Sequence, residues 1–170
     1  METAIIYEGN TKSYTTPMII SNPKEGKKIQ VTGLWDTGAN ITTIKTSIAV
    51  ALGMKYVNVG SSNTAGGKVK SYLFYADVLL LNGIKIRNIM VSSVDNMSVD
   101  ALIGTDIINL GDFAIVHVAG KAEVKFRIPY DSDIDFQKAQ KEKELKIKTI
   151  MENQSDGLPV KLSKLKGSFI

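Results

Sequence analysis

The chain contains no cysteine, a single histidine and no long apolar run. Each absence excludes a class of chemistry. Without cysteine there are no disulfides, no thiolate nucleophile and no cysteine-based zinc site, and a reducing compartment is compatible. The one histidine, His117, sits in "FAIVHVAG" near a turn with no partner constellation. That leaves a Ser-His-Asp triad poorly supplied and reads as a structural histidine in a strand. No uninterrupted apolar stretch approaches the roughly 18 residues needed to span a bilayer. "METAIIYEGN" has an acid at position 2 and no apolar core of a signal peptide, so a cytoplasmic location is expected. "AGGKVK" (65–70) lacks phosphate-loop spacing. Asp131, Asp133 and Asp135 alternate like the start of a calcium loop, but Phe136 stands where that loop needs glycine. They read as a solvated acidic turn before a helix. No metal and no cofactor are expected.

The balance of charge is local. Residues 137–170 hold eight lysines against four acids, whereas basic and acidic residues cancel over 1–136. The 170 residues suit one domain plus an extension, and 44% hydrophobic content supplies a real core. Fourteen glycines with many Val, Ile and Thr favour strands. Strands are expected at 4–8, 11–20, 26–35, 84–94, 99–103, 113–118 and 121–128. Residues 55–83 read as strand, tight turn at "NTAGG" (63–67), strand. "TTIKTSIAVALGM" (42–54) reads as a helix of about three turns, with Ile44, Ile48, Ala51 and Leu52 at helical spacing and Gly53 as its stop. "GTDIINLG" (104–111) suits a short helix. The body, 1–130, is therefore mainly β, a compact barrel or sandwich with one or two short helices. Residues 131–170 form a Lys-rich extension, helical over 137–153 and then punctuated by Gly and Pro.

The chemistry centres on "GLWDTGAN" (33–40). Leu34 and Trp35 bury a strand end, and Asp36 sits where the chain leaves the sheet. Thr37 can hold the loop by hydrogen bonding. Gly38 lets another backbone approach, and Ala39 keeps the next position small. Two readings stand: a carboxylate on the floor of a cleft, or a plain Asp-x-Gly turn. Further on, 99–108 read "VDALIGTDII". Two apolar residues, Asp-Thr-Gly-Ala, a glycine-bearing hairpin, and then two apolar residues with a Gly opening a short helix form an ordered pattern over about residues 25 to 118. In that order and spacing the chain resembles the retropepsin-like aspartic peptidases, which implies their closed-barrel fold.

The resemblance carries a functional expectation. A carboxylate pair sharing one proton can activate water with one member and protonate the substrate with the other. Asp36 is the only Asp here followed by Thr-Gly or Ser-Gly. Asp106, after the glycine of "IGTD", reads instead as an acid in the first turn of a helix. The second acid must then be Asp36 of a second copy across a two-fold axis. The expected protein is a homodimeric aspartic endopeptidase binding a polypeptide in extended form. The resemblance assigns Thr37 to locking the two loops together. It assigns Gly38, Asn40, Leu102 and Ile103 to the substrate site, the last two lining or supporting the pockets beside Asp36, and Thr64, Ala65, Gly66 and Gly67 to a flap closing over it. Relatives with Ser after the Gly can donate a hydrogen bond to the ionised pair. Ala39 cannot, so activity is expected in mildly acidic to neutral conditions. The compact viral enzymes pair an acid after the Ala with an Arg after the second Gly. Here Asn40 and Thr105 stand in those places, so neither charge is left unpaired.

The alternative is an inactive, protease-like binding module whose basic tail docks nucleic acid or an acidic partner. One aromatic (Phe169), no arginine and interspersed glutamates supply nucleic-acid readout poorly, so nucleic acid is not the expected partner. The tail otherwise reads as a solvated helix and loose end, or as a segment acting in cis on the dimer interface.

Overall fold

The computed structural model describes residues 2–8, 11–64, 66–80, 83–128 and 133–135, and within the tail residues 141, 144, 145, 148 and 149. The chain divides into two compact units, Met1–Phe136 and Gln137–Ile170.

The first unit is mainly β. In chain order its elements are β1 (Glu2–Glu8), β2 (Thr15–Ser21), β3 (Lys28–Trp35), β4 (Thr43–Lys45), α1 (Thr46–Ala51), β5 (Asn58–Thr64) and β6 (Gly67–Leu80). There follow β7 (Lys85–Val94), β8 (Ala101–Ile103), α2 (Thr105–Ile108), β9 (Asp112–Val118), β10 (Lys121–Arg127) and β11 (Asp133–Asp135). Strands β7, β4, β8, β3, β2 and β6 are neighbours in that order, and β6 pairs back onto β7. The result is the closed six-stranded barrel that the resemblance implied. Alternation builds it. In β2, Thr16, Met18 and Ile20 point inward while Pro17 is exposed. Ile20, Ile44, Val78, Ile86, Ile89, Val91 and Ile103 fill the interior with almost no exposed surface. Each such side chain contributes about 1.5–3 kcal/mol by leaving water.

Two expectations need correction. The helix expected over 42–54 is shorter, because Thr43–Lys45 form β4 and only Thr46–Ala51 are helical. β4 lies parallel to β7 and antiparallel to β8, and Ile44 is completely buried between them. The β-branched run Ile41–Ile44 suits that pleated, buried place better than a helix turn. Gly53 does end the helix, donating its N–H to the Val50 carbonyl at 2.9 Å. The second correction concerns "YDSDIDF". Asp133–Asp135 form a strand parallel to Lys85–Arg87 of β7, where a turn was expected.

A separate sheet, β1-β10-β9, is bound to the barrel through aromatic packing. The Trp35 ring lies 5.0 Å from that of Phe113 and 5.2 Å from that of Phe126.

In the second unit, Lys141, Glu144, Leu145, Lys148 and Thr149 are helical, and the Thr149 hydroxyl donates to the Leu145 carbonyl one turn earlier, at 3.0 Å. The expectations for 154–170 lie outside the described residues. Among the described residues, no helix is long and apolar enough to cross a membrane.

Candidate active site

Asp36 stands at the last point where the chain is still spliced into the sheet. Trp35 donates its backbone N–H to the Tyr14 carbonyl (2.9 Å), and Asp36 donates its own to the Ile103 carbonyl (3.0 Å). Beyond it the chain turns sharply. The Ala39 N–H returns to the Asp36 carbonyl at 3.2 Å, and the Gly38 N–H donates to Asp36 Oδ1 at 2.8 Å. A side chain that accepts from the backbone two residues on holds both the turn and its own rotamer. A Cβ on Gly38 would lie 3.1 Å from that same Oδ1, so glycine keeps the carboxylate uncrowded. Asp36 is partly exposed, and Thr37, Gly38 and Asn40 are exposed. Among the described residues, Asp36 Oδ2 and the Thr37 hydroxyl have no hydrogen-bond partner.

The loop is carried from below by β8 and the start of α2. Leu34 pairs with Leu102 and Trp35 with Ile103 in parallel register. A Cβ on Gly104 would sit 2.8 Å from the Ile41 carbonyl carbon and 2.9 Å from the Ala39 oxygen, so only glycine permits this approach. The approach lets Thr105 donate to the Ala39 carbonyl through both its N–H (2.8 Å) and its hydroxyl (3.3 Å). Thr42, completely buried, accepts the Gly104 N–H on its hydroxyl at 3.1 Å. That hydroxyl donates onward to Asp106 Oδ1 at 2.7 Å, and the Thr42 N–H donates to Asp106 Oδ2 at 2.9 Å. The Ile107 N–H completes the set on Oδ1 at 2.9 Å. Burial raises the Asp106 carboxyl above the ordinary value of 3.8, while the bonds from Thr42 and Ile107 pull it back down.

These positions refine the expectations. Asp36, Thr37, Gly38 and Ala39 form one tight loop. Leu102 is half-buried, but Ile103 has no exposed surface, so its place is support beneath Asp36 and it has no face to offer a substrate. Thr105, where the resemblance would put an arginine, bonds the Ala39 carbonyl of the loop. Asp106 does stand in the first turn of α2, yet it is half-buried and directed at Thr42. The Thr42–Asp106 pair was not foreseen. A Thr and an Asp 64 positions apart leave no local pattern.

Thr64, Gly66 and Gly67 lie at the tip of the β5–β6 hairpin, with Ala65 outside the described residues. Thr64 pairs with Gly67, and its hydroxyl donates to the Gly67 carbonyl at 2.8 Å. β6 meets β7 only from Tyr72 and β2 only from Asp77. The segment from Gly67 to Ser71 thus pairs with β5 alone and leaves the barrel as a two-stranded ribbon. Among the described residues, no hydrogen bond joins it to the Asp36 loop. His117 is placed as expected, exposed on β9 with Nε2 3.1 Å from the Tyr14 hydroxyl. A surface cavity of about 190 Å³ beside Asn22, Met54, Val57 and Tyr75 includes no residue of the Asp36 loop.

Comparison with known proteins places this geometry in context. Solved structures similar to the chain include a retropepsin-like aspartic protease from Rickettsia conorii. It is 15% identical, with a TM-score of 0.48 over 74% of this chain and 93% of that one. The retroviral protease-like domain of Ddi1 from Leishmania major is 16% identical, with a TM-score of 0.45 over 72% of this chain and 99% of that one. The EIAV protease, solved with an inhibitor, is 20% identical, with a TM-score of 0.43 over 58% and 86%. Among curated protein sequences, none matches the chain. The family model described as "gag-polyprotein putative aspartyl protease" matches residues 25–109, half of the chain, from just before β3 through α2. With the Asp-Thr-Gly-Ala loop and the Leu-Ile-Gly support both inside that span, the chain belongs to this family of retropepsin-like aspartic proteases.

Proposed function

We propose that the chain is a homodimeric aspartic endopeptidase in which the Asp36 carboxylates of two copies share one proton at the two-fold axis. One observation carries this reading. Asp36 is held by Gly38 through Oδ1 alone, on an exposed loop, in a chain with no second Asp-Thr-Gly. The loop therefore presents half of a dyad. A symmetric interface supplies the other half, because the same patch meets itself.

The chemistry follows from the pair. The ionised carboxylate takes a proton from water as the water oxygen bonds to the peptide carbonyl carbon. The protonated carboxyl gives its proton to the carbonyl oxygen, forming a gem-diol. On collapse, a hydroxyl proton returns to the dyad, the amide nitrogen is protonated, and the C–N bond breaks to give an acid and an amine. Thr37, exposed beside Asp36, is assigned to contacts between the two loops. Gly38, Asn40 and Leu102 border the extended substrate, and the ribbon tip at Thr64–Gly67 closes over it. The peptidase domain is assigned to 1–130 and the extension to 131–170, with β11 tying the start of that extension to β7.

The test uses purified wild-type protein and Asp36→Asn. Hydrolysis of an unstructured polypeptide is expected in mildly acidic to neutral buffer with the wild type alone. Adding excess Asp36→Asn to a fixed amount of wild type should suppress activity, because mixed dimers hold one ionisable acid. Wild-type rates from Asp36→Asn alone would reject the proposal.

A further inference from the structure

Resting on that reading, we infer that Asp106 is a positioning residue for Asp36: its half-buried carboxylate clasps Thr42 to α2 and so fixes the catalytic loop against the segment that carries it.

Segment 103–106 engages segment 36–42 almost residue by residue. The Ile103 carbonyl receives the Asp36 N–H, Gly104 packs against Ile41 and Ala39, and Thr105 holds the Ala39 carbonyl. Asp106 closes the series on Thr42. Of these, Asp106 alone contributes a charged side chain. Its partners are all donors: the Thr42 N–H, the Thr42 hydroxyl and the Ile107 N–H. The Thr42 hydroxyl has a defined direction, because it accepts from Gly104 and gives its proton to Asp106. Only a group that accepts on both oxygens satisfies this set.

The placement is costly as a purely stabilising device. A carboxylate drawn partly out of water without a cation gives up hydration that its neutral donors must replace. Among the described residues, no cation pairs with Asp106, whereas Asp100 and Glu25 meet Lys45 and Lys27 near the surface. Directional bonds are what the charge supplies here. Hydrogen bonds to a charged acceptor are short and hold geometry well, and the Thr42 hydroxyl lies 2.7 Å from Oδ1. A shift of α2 away from Thr42 would carry Thr105 away from Ala39. The turn closed by the Ala39 N–H on the Asp36 carbonyl would then lose its outer anchor. Small displacements of a reacting group have large effects on rate.

Asp106→Asn tests this with nearly constant volume. Its oxygen can still accept the Thr42 hydroxyl and the Ile107 N–H. Its amide then opposes the Thr42 N–H, donor against donor. The expected result is a fall in kcat of about tenfold to a hundredfold with little change in KM. A second readout needs no turnover: the pH titration of the Asp36 carboxyl followed by carbon-13 NMR should move in Asp106→Asn. It should stay in place in Val78→Ala, a core variant used as a control for lost stability. Thr42→Val should reproduce the Asp106→Asn behaviour and Thr42→Ser should restore it, which keeps the test available if Asp106→Asn does not fold. Wild-type kcat together with an unmoved Asp36 titration overturns the inference. So does a fall no larger than that of Val78→Ala with the titration unmoved. If the wild type itself cleaves nothing, the peptidase reading fails, and the Asp36 titration still decides the role of Asp106.

Discussion

The Asp36 loop and the β5–β6 ribbon belong to one proposed site, yet they are held by opposite means. The loop is short, and it is fixed from beneath at Asp36, Ala39 and Thr42 by strand β8 and helix α2. Gly38 within it and Gly104 beneath it mark places where the carboxylate itself or another backbone comes within about 3 Å. The ribbon is long, and its outer part pairs only with itself. Its glycine at position 67 marks a turn with φ 106°, and a Cβ there would meet nothing within 4 Å. A catalytic carboxylate gains from rigid support, whereas a cover must open to admit a chain. The contrast teaches that a glycine-rich motif can signal close packing in one place and free movement in another.

The contrast is most sharply broken by Gly104→Ala. A methyl placed 2.8 Å from the Ile41 carbonyl carbon must push backbone aside. Overpacking of this kind costs about 1–3 kcal/mol, read as a lowered urea midpoint, and hydrolysis should fall with it. Wild-type stability and rate in this variant would mean the floor is softer than its geometry implies.

Acid titration of stability separates two carboxylates that flank β8, Asp100 and Asp106. Burial, the largest influence, raises Asp106 above 3.8. Between 3.8 and its raised value the folded chain binds the proton more readily than the unfolded chain. Stability from this group therefore falls as pH rises through that window and is level above it. Asp100 runs the other way. The hydrogen bond from the Lys45 ammonium, chiefly, and that from the Thr32 N–H lower it. Its contribution is present above 3.8 and is lost as pH falls through the lowered value. Urea unfolding from about pH 2 to pH 8 should show the wild type gaining on Asp106→Asn as pH drops from neutral toward 3.8. The same series should show the smaller deficit of Asp100→Asn disappearing well below 3.8. A wild-type advantage over Asp106→Asn that is constant with pH would contradict the first assignment.

The smallest effect belongs to the ribbon. Thr64→Ala removes one exposed bond to the Gly67 carbonyl. The urea midpoint should move by no more than about 0.5 kcal/mol in equivalent stability, while amide exchange at the tip quickens. A loss as large as that of Gly104→Ala would show the ribbon to be part of the support.

Much of the site was legible from neighbouring residues. Asp-Thr-Gly-Ala is a turn whose hydrogen bonds close within four positions, and "NTAGG" between apolar runs specifies a hairpin by the same local logic. Short Val-, Ile- and Thr-rich runs between frequent turns pointed to a mainly β body, barrel or sandwich. Less legible was β4, since Ile44, Ile48, Ala51 and Leu52 have helical spacing and only burial between β7 and β8 makes the first of them a strand residue. β11 was hidden for a similar reason: three alternating acids do not announce a strand, and its partner lies some fifty positions away on β7.

The residues in their order were enough to specify a carboxylate on a turn, the glycines beside it and the absence of a second Asp-Thr-Gly in this sequence. Those are properties of near neighbours and of a count along the chain. Whether Ile103 faces a cleft or the core, and what Asp106 holds, depend on residues up to 64 positions apart. Their distances are set by sheet register and core packing, so the clasp beneath Asp36 exists only once the barrel has closed.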